Sequence, residues 1–214
     1  MSKNVIISGD STCDLSPELI ERYGVKLLPL TVNLGGTQYL DGVDIDTEMI
    51  YRHYAQTGEL PKTSSPNIAM FEDFFCKYTA DGSEMVFFTI SAEMSSTYSN
   101  ACLAAAQFEN VHVVDTRNLS TGGGLLVVAA GEMAKKGMSA QEIADACRAL
   151  TDKVDASFVV DDLEFLHKGG RCSAVAAFGA NLLRLKPCIV VQSGKMGVSK
   201  KYRGKFLQDR KSVV

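Results

Sequence analysis

Between Val5 and Thr151, short apolar runs of strand length alternate with helix-favouring segments, and this alternation constrains the fold more than any other feature of the chain. Val5–Ser8, Val25–Asn33, Met85–Ile90 and Val111–Asp115 read as strands. Helices are predicted after Ser16-Pro17, from Asp46 or Thr47 to Gln56, over Asn67–Tyr78, Asn100–Gln107 and Leu125–Lys136, and from the Ser139/Glu142 capping pair to the vicinity of Thr151. The turn Leu34-Gly35-Gly36-Thr37-Gln38 adds an early hairpin. The pattern predicts an α/β domain over residues 1–155, with a mostly parallel sheet flanked by helices. In such a domain ligands bind beyond the carboxyl ends of the strands, so the polar turns after strands are where function is to be sought.

One of these turns is unusually rich in hydroxyls. The apolar run Met85–Ile90 leads through Ser91, Ser95, Ser96 and Thr97 into an alanine-rich helical segment, which puts Ser95 or Ser96 where an N-cap belongs. Backbone N–H groups and the positive end of the helix dipole converge at such a place and favour an anion. A single serine there is accounted for by capping. Four hydroxyls within seven residues point further, to a binding site.

The remaining totals exclude several classes of function. The chain has 214 residues, 46% of them hydrophobic and 22% charged, enough to bury a real core. A net charge of -3 provides no basic field for nucleic acid. No run of about 18 apolar residues is available to span a membrane. The amino terminus enters a strand pattern with no apolar signal segment, which predicts a cytoplasmic location. The six cysteines and three histidines are scattered, without the spacing of a disulfide framework or a metal site. Asp10, Asp14, Asp41, Asp44 and Asp46 read as solvated loops and helix caps rather than metal ligands. Dinucleotide, phosphate-loop and nucleophile-elbow motifs are absent, and Gly122-Gly123-Gly124, in a predicted loop, is too isolated to stand in for one. No cofactor is therefore expected.

The pattern changes at Ala156. Ser157–Val160 reads as a strand, Asp161–Lys168 as a short helix, Gly169–Ser173 as a sharp turn and Ala174–Leu185 as a helix. Pro187–Gln192 and Met196–Tyr202 bracket a hairpin turn at Ser193-Gly194-Lys195, and a last helix starts at Phe206. A second, smaller mixed-sheet α/β domain over 156–214 is predicted, with little material for its own core.

Three polar loops collect the candidate chemistry: Thr63–Pro66, Ser91–Thr97 and Gly169–Ser173. The first two offer neutral donors, and the third adds the forked cation of Arg171, with glycines that let backbone approach closely. Together they suit an anionic headgroup. Thr63–Pro66 also fits an ordinary helix start, and Gly169-Gly170-Arg171 an ordinary helix C-cap with a solvated arginine. Two rival readings are a hydrolase or acyltransferase with Ser95 as nucleophile, His167 as base and Asp161 as orienting acid, and a phosphate or nucleotide binder with a polar cavity.

These segments, in this order, resemble the DegV family of bacterial fatty-acid-binding proteins, which includes the acyl-carrying subunits of fatty acid kinase. The resemblance rests on Asp10–Leu15, Thr63–Pro66, Ile90–Tyr98, Val114–Thr116, Leu163–Ser173 and Leu182–Pro187. It implies a carrier, not an enzyme, that holds a long-chain fatty acid in an apolar tunnel between two domains and presents the carboxylate to a partner kinase subunit. By the same resemblance the carboxylate is held by Thr63 and Ser95, with Arg171 nearby. Ser64, Ser91, Ser96 and Gly170 are secondary candidates. Ser96 stands where the family commonly has glycine, Cys172 where it commonly has an aliphatic residue, and Ser65-Pro66-Asn67 where it commonly has glutamine-proline-serine. Family members continue beyond Val214 to a histidine near the headgroup, so the second domain is expected to be truncated at its carboxyl end.

Overall fold

The computed structural model describes residues 4–160, 164–172 and 186–202. The chain divides into two compact units, Met1–Val154 and Asp155–Val214. The predicted helices at Ala174–Leu185 and Phe206 lie outside the described residues, as do Asp161, Leu163 and Ser173.

The first unit opens with strand β1 (Val5–Asp10), which ends in a single 3-10 turn, Ser11–Cys13. Helix α1 (Pro17–Tyr23) follows, capped by the Ser16 hydroxyl and stopped by Gly24 in the left-handed region. After β2 (Lys26–Leu28) come β3 (Thr31–Leu34), β4 (Thr37–Leu40), α2 (Thr47–Thr57), β5 (Lys62–Ser64) and α3 (Ile68–Thr79). The order continues through β6 (Glu84–Thr89), α4 (Thr97–Ala105), β7 (Val111–Asp115), α5 (Ser120–Lys135) and α6 (Ala140–Leu150).

Four of these strands form the predicted parallel sheet, in the order β2-β1-β6-β7. Its central strands are buried on both faces, which is why their sequences run apolar without alternation. Along β6, Val86 and Phe88 pack with Leu126, Val127, Ile143 and Cys147 of α5 and α6. Met85 and Phe87 face the opposite way, into Phe71, Phe74 and Phe75 of α3 and Ala101 and Ala104 of α4. Phe87 meets the rings of Phe71 and Phe75 edge-on at centroid distances of 5.4 and 5.5 Å. Burial of each such ring contributes about 2–3 kcal/mol, so the carboxyl end of β6 is held firmly.

Three local expectations are corrected. Val25–Asn33 is not one strand: β2 pairs with β1, and after Pro29 the chain leaves for a second sheet of order β4-β3-β5. Proline has no N–H to extend the ladder, and the break falls there. The predicted loop at Lys62–Ser64 is a strand, β5, antiparallel to β3 with Val32 opposite Thr63. Its side chains are exposed, so it carries no apolar signal. Gly122-Gly123-Gly124 lies inside the first turns of α5 rather than in a loop, because helix and 3-10 turn approach so closely that a Cβ on Gly124 would stand 2.5 Å from the Cys13 carbonyl oxygen.

The second unit contains β8 (Ala156–Val159), α7 (Glu164–Gly169), β9 (Lys186–Gln192) and β10 (Lys195–Tyr202). The described strands pair antiparallel in the order β10-β9-β8. Ile189 and Cys172 are buried among Phe158, Val160, Leu166, Met196 and Val198. The predicted hairpin is present, with Ser193 and Gly194 both at positive φ, as a tight two-residue turn requires.

Candidate functional site

The strand order creates a crevice. β1 connects through α1 to β2 on one side, whereas β6 connects through α4 to β7 on the other, so the chain diverges between the adjacent strands β1 and β6. Open parallel sheets bind ligands at such a switch point, beyond the carboxyl ends of the strands. The two turns that leave those ends are Asp10–Cys13 and Ile90–Ser96.

Asp10 is not a solvated loop residue, as its sequence context suggested, but is 1% exposed. Its carboxylate accepts bonds from the Thr12 amide at 3.0 Å, the Thr12 hydroxyl, and the Ile90 amide at 2.7 Å. Burial pushes this carboxyl above the usual carboxylate range, and the bonds from Thr12 and Ile90 partly oppose that. Asp46 fits its predicted role as a helix cap, accepting the Met49 amide at 2.8 Å, and Asp44 is an exposed loop residue that accepts the Leu40 amide. Among the described residues no group of three His, Cys, Asp or Glu side chains is arranged to hold a metal ion.

Beyond β6, the buried Ser91 builds the turn. Its carbonyl accepts the Met94 amide at 2.9 Å and the Ser95 amide at 3.2 Å, and its hydroxyl accepts the Glu93 amide at 3.2 Å. Ser95 is half-buried, and its hydroxyl pairs with that of Thr97 at 2.8 Å and accepts the Thr97 amide at 3.2 Å. Ser96 occupies the N-cap position of α4 yet makes no capping bond. Ser95 has taken over that task one residue early, leaving the Ser96 hydroxyl to reach elsewhere.

It reaches the Thr63–Pro66 loop. The hydroxyls of Ser96 and Ser65 are 2.7 Å apart, and Asn100 of α4 donates to the Ser65 hydroxyl at 3.2 Å and to the Pro66 carbonyl at 2.9 Å. Asn67, not a residue of Thr63–Ser65, caps α3 by accepting the Met70 amide at 2.9 Å. The helix-start explanation of Thr63–Ser65 therefore fails. Thr63 and Ser64 are exposed on β5, opposite Val32 and Thr31. Thr63 and Ser95 do not bond each other, but the loop of one is tied to the turn of the other. Sequence reasoning missed Asn100, although its place one helical turn after Ser96 puts both on one face of α4.

Arg171 belongs to the second unit. Gly170, at φ +70°, ends α7 by donating its amide to the His167 carbonyl at 3.1 Å. The Arg171 side chain is exposed and donates to the Gly169 carbonyl at 2.7 Å. That is the helix C-cap that its glycines allowed, with a cation displayed beside it.

At the opposite, amino end of the parallel sheet is a groove of about 690 Å³, lined in part by Asn4, Val5, Glu84 and Glu142. Two carboxylates among its walls suit an anion poorly, and the hydroxyl-rich switch point remains the candidate site.

Comparison with known proteins identifies the family. The model of the DegV family, described as an uncharacterised protein family, matches residues 4–207. A DegV domain-containing protein of Clostridium acetobutylicum is 34% identical over 206 residues, covering 95% of this chain and 74% of the relative. A DegV family protein from Thermus thermophilus, described by its fatty acid binding, superposes with a TM-score of 0.86 at 32% identity, over 94% of this chain and 72% of that one. A stearic acid-binding protein from Eubacterium ventriosum superposes with a TM-score of 0.82 at 30% identity, over 95% of this chain and 71% of that one. In sequence and in fold, the chain belongs to the DegV family.

Proposed function

We propose that this chain binds a long-chain fatty acid with its carboxylate at the hydroxyls of Thr63 and Ser95, takes positive charge from Arg171, and presents the carboxylate to a kinase partner that phosphorylates it. Ser64, Ser91 and Ser96 serve as secondary donors around the same headgroup, and Gly170, whose amide is taken by the His167 carbonyl, contributes only close backbone approach. The protein is a carrier of the cytoplasm, with the bound acid as its only ligand and the phosphoryl transfer left to the partner. The observation that carries this reading is the 2.7 Å contact between Ser65 and Ser96, which draws the Thr63 loop and the Ser95 turn together at the switch point. The Thermus thermophilus relative is described as binding fatty acid and the Eubacterium ventriosum relative as binding stearic acid, and that chemistry suits clustered hydroxyls. A carboxylate leaving water is costly unless several donors meet it, and hydroxyls with a nearby cation meet that need.

Ser95 is bonded to a hydroxyl and an amide of Thr97, groups that orient it without removing its proton. Native mass spectrometry before and after organic extraction tests the reading. An acyl-chain mass should leave with the solvent, and stearate should bind the stripped protein, more weakly after Thr63→Ala or Ser95→Ala. If Ser95→Ala instead abolishes turnover of an activated ester and leaves stearate binding intact, the chain is a hydrolase or acyltransferase.

A further inference from the structure

We infer that Asp10 and Ser11, adjacent at the exit of β1, are positioning residues that set the spacing between strand β5, which carries Thr63, and the turn that carries Ser95. The inference rests on the headgroup reading above and adds to it two residues that do not touch the ligand.

The two side chains bond to opposite sides of the crevice. Asp10 accepts the Ile90 amide at 2.7 Å, and Ile90 immediately precedes Ser91, whose carbonyl takes the Ser95 amide at 3.2 Å. Asp10 thus grips the point from which the Ser95 turn springs. Ser11 accepts the Leu30 amide at 3.1 Å and donates to the Asp41 carboxylate at 2.7 Å. Leu30 precedes β3, Asp41 follows β4, and their backbones are joined by the Asp41 amide on the Leu30 carbonyl at 2.9 Å. Ser11 therefore holds the base of the hairpin against which β5 is paired, with Thr63 opposite Val32. One dipeptide connects the sheet of Thr63 to the turn of Ser95.

The contacts form a closed ring. From Thr63 the chain of pairs runs through Val32, Leu30, Ser11, Asp10, Ile90 and Ser91 to Ser95, and returns through Ser96 and Ser65. A hinge between the two sheets would leave two hydroxyls at variable separation, whereas a ring fixes it. A carboxylate at 1% exposure is an expensive joint, and it accepts three donors from two different turns. That cost is understandable where misplacement of a ligand-holding group weakens binding.

The test measures affinity for stearate and for octadecan-1-ol, which has the same chain length but no carboxylate, in the wild-type chain and in Asp10→Asn, Ser11→Ala and Ser95→Ala. Each joint variant should lose about tenfold in stearate affinity and stay within about twofold for the alcohol, because only the carboxylate reads the hydroxyl spacing. On a Ser95→Ala background the Asp10→Asn penalty should shrink below about twofold. Equal losses for acid and alcohol, an unchanged stearate affinity, or a full penalty on the Ser95→Ala background each overturn the inference. Ser11→Ala removes no buried charge and carries the test alone if Asp10→Asn does not fold. Failure of the wild-type chain to bind stearate overturns the headgroup reading itself, an outcome separate from wild-type binding that the joint variants leave unaffected.

Discussion

The hydroxyls of Ser65 and Ser96 meet at 2.7 Å across 31 residues of chain, and Asn100 donates to the first of them at 3.2 Å. This contact joins an exposed edge strand to the amino end of a helix packed on a different sheet. Ser65→Ala and Ser96→Ala should each lower stability, and the double variant should cost less than the sum. A coupling of about 0.5–1 kcal/mol is expected from urea unfolding of the four proteins in the cycle.

Asn100 also holds the carbonyl of the buried Pro66 at 2.9 Å. Asn100→Ala removes both bonds and leaves that carbonyl without its donor, a loss of about 1–2 kcal/mol in chemical denaturation. Asn100→Asp, which keeps the shape but presents no donor, should cost at least as much. A stability equal to wild type in Asn100→Asp would show that shape rather than donation holds the loop.

Gly124 tests the close approach of α5 to the 3-10 turn after β1. A methyl group there would stand 2.5 Å from the Cys13 carbonyl oxygen, a backbone atom with little room to move. Gly124→Ala should destabilise the protein by about 2–4 kcal/mol despite raising helix propensity. A thermal midpoint at or above that of wild type would mean that the helix shifts freely.

The thiols of Cys13 and Cys147 give a pH dependence of definite sign. Burial pushes both from an ordinary 9.0 up to about 11. The unfolded chain releases these protons first as the pH rises, so their contribution to stability is whole below pH 9 and is lost as the pH climbs toward 11. The loss should be about 2 kcal/mol per thiol. Urea midpoints measured from pH 8 to 11 should fall less steeply in Cys147→Ala than in wild type.

Arg171 offers the complementary case of a residue with little part in the fold. Its side chain is exposed and, among the described residues, bonds locally to Gly169. Arg171→Ala should leave the urea midpoint within about 0.5 kcal/mol of wild type. It should also lower stearate affinity by about tenfold, an effect that weakens as salt is raised. A stearate affinity independent of both the substitution and salt would remove Arg171 from the headgroup site.

Most of the first unit was legible in the chain because its signals are local. Val111–Asp115 is a strand with the predicted bounds, Asp46 and Asn67 begin their helices, and Ser139 with Glu142 forms the predicted capping box. Each depends on residues within one turn of one another. The breaks in legibility have equally physical reasons. β5 is polar because it is an exposed edge, and the glycines of α5 look like a loop until the neighbour that requires them is known.

The sequence by itself determined the alternation of strands and helices, the helix ends, and the presence of hydroxyl-rich turns and of a glycine-glycine-arginine C-cap, since short-range sterics and capping decide these. Only the tertiary structure decided that β1 and β6 are neighbours, that Asp10 is buried between their exits, and that Ser96 turns from capping its own helix to meet Ser65. Those outcomes depend on groups 31 to 80 residues apart in the chain. Their encounter is set by which faces of the sheet must be buried, and no local preference encodes it.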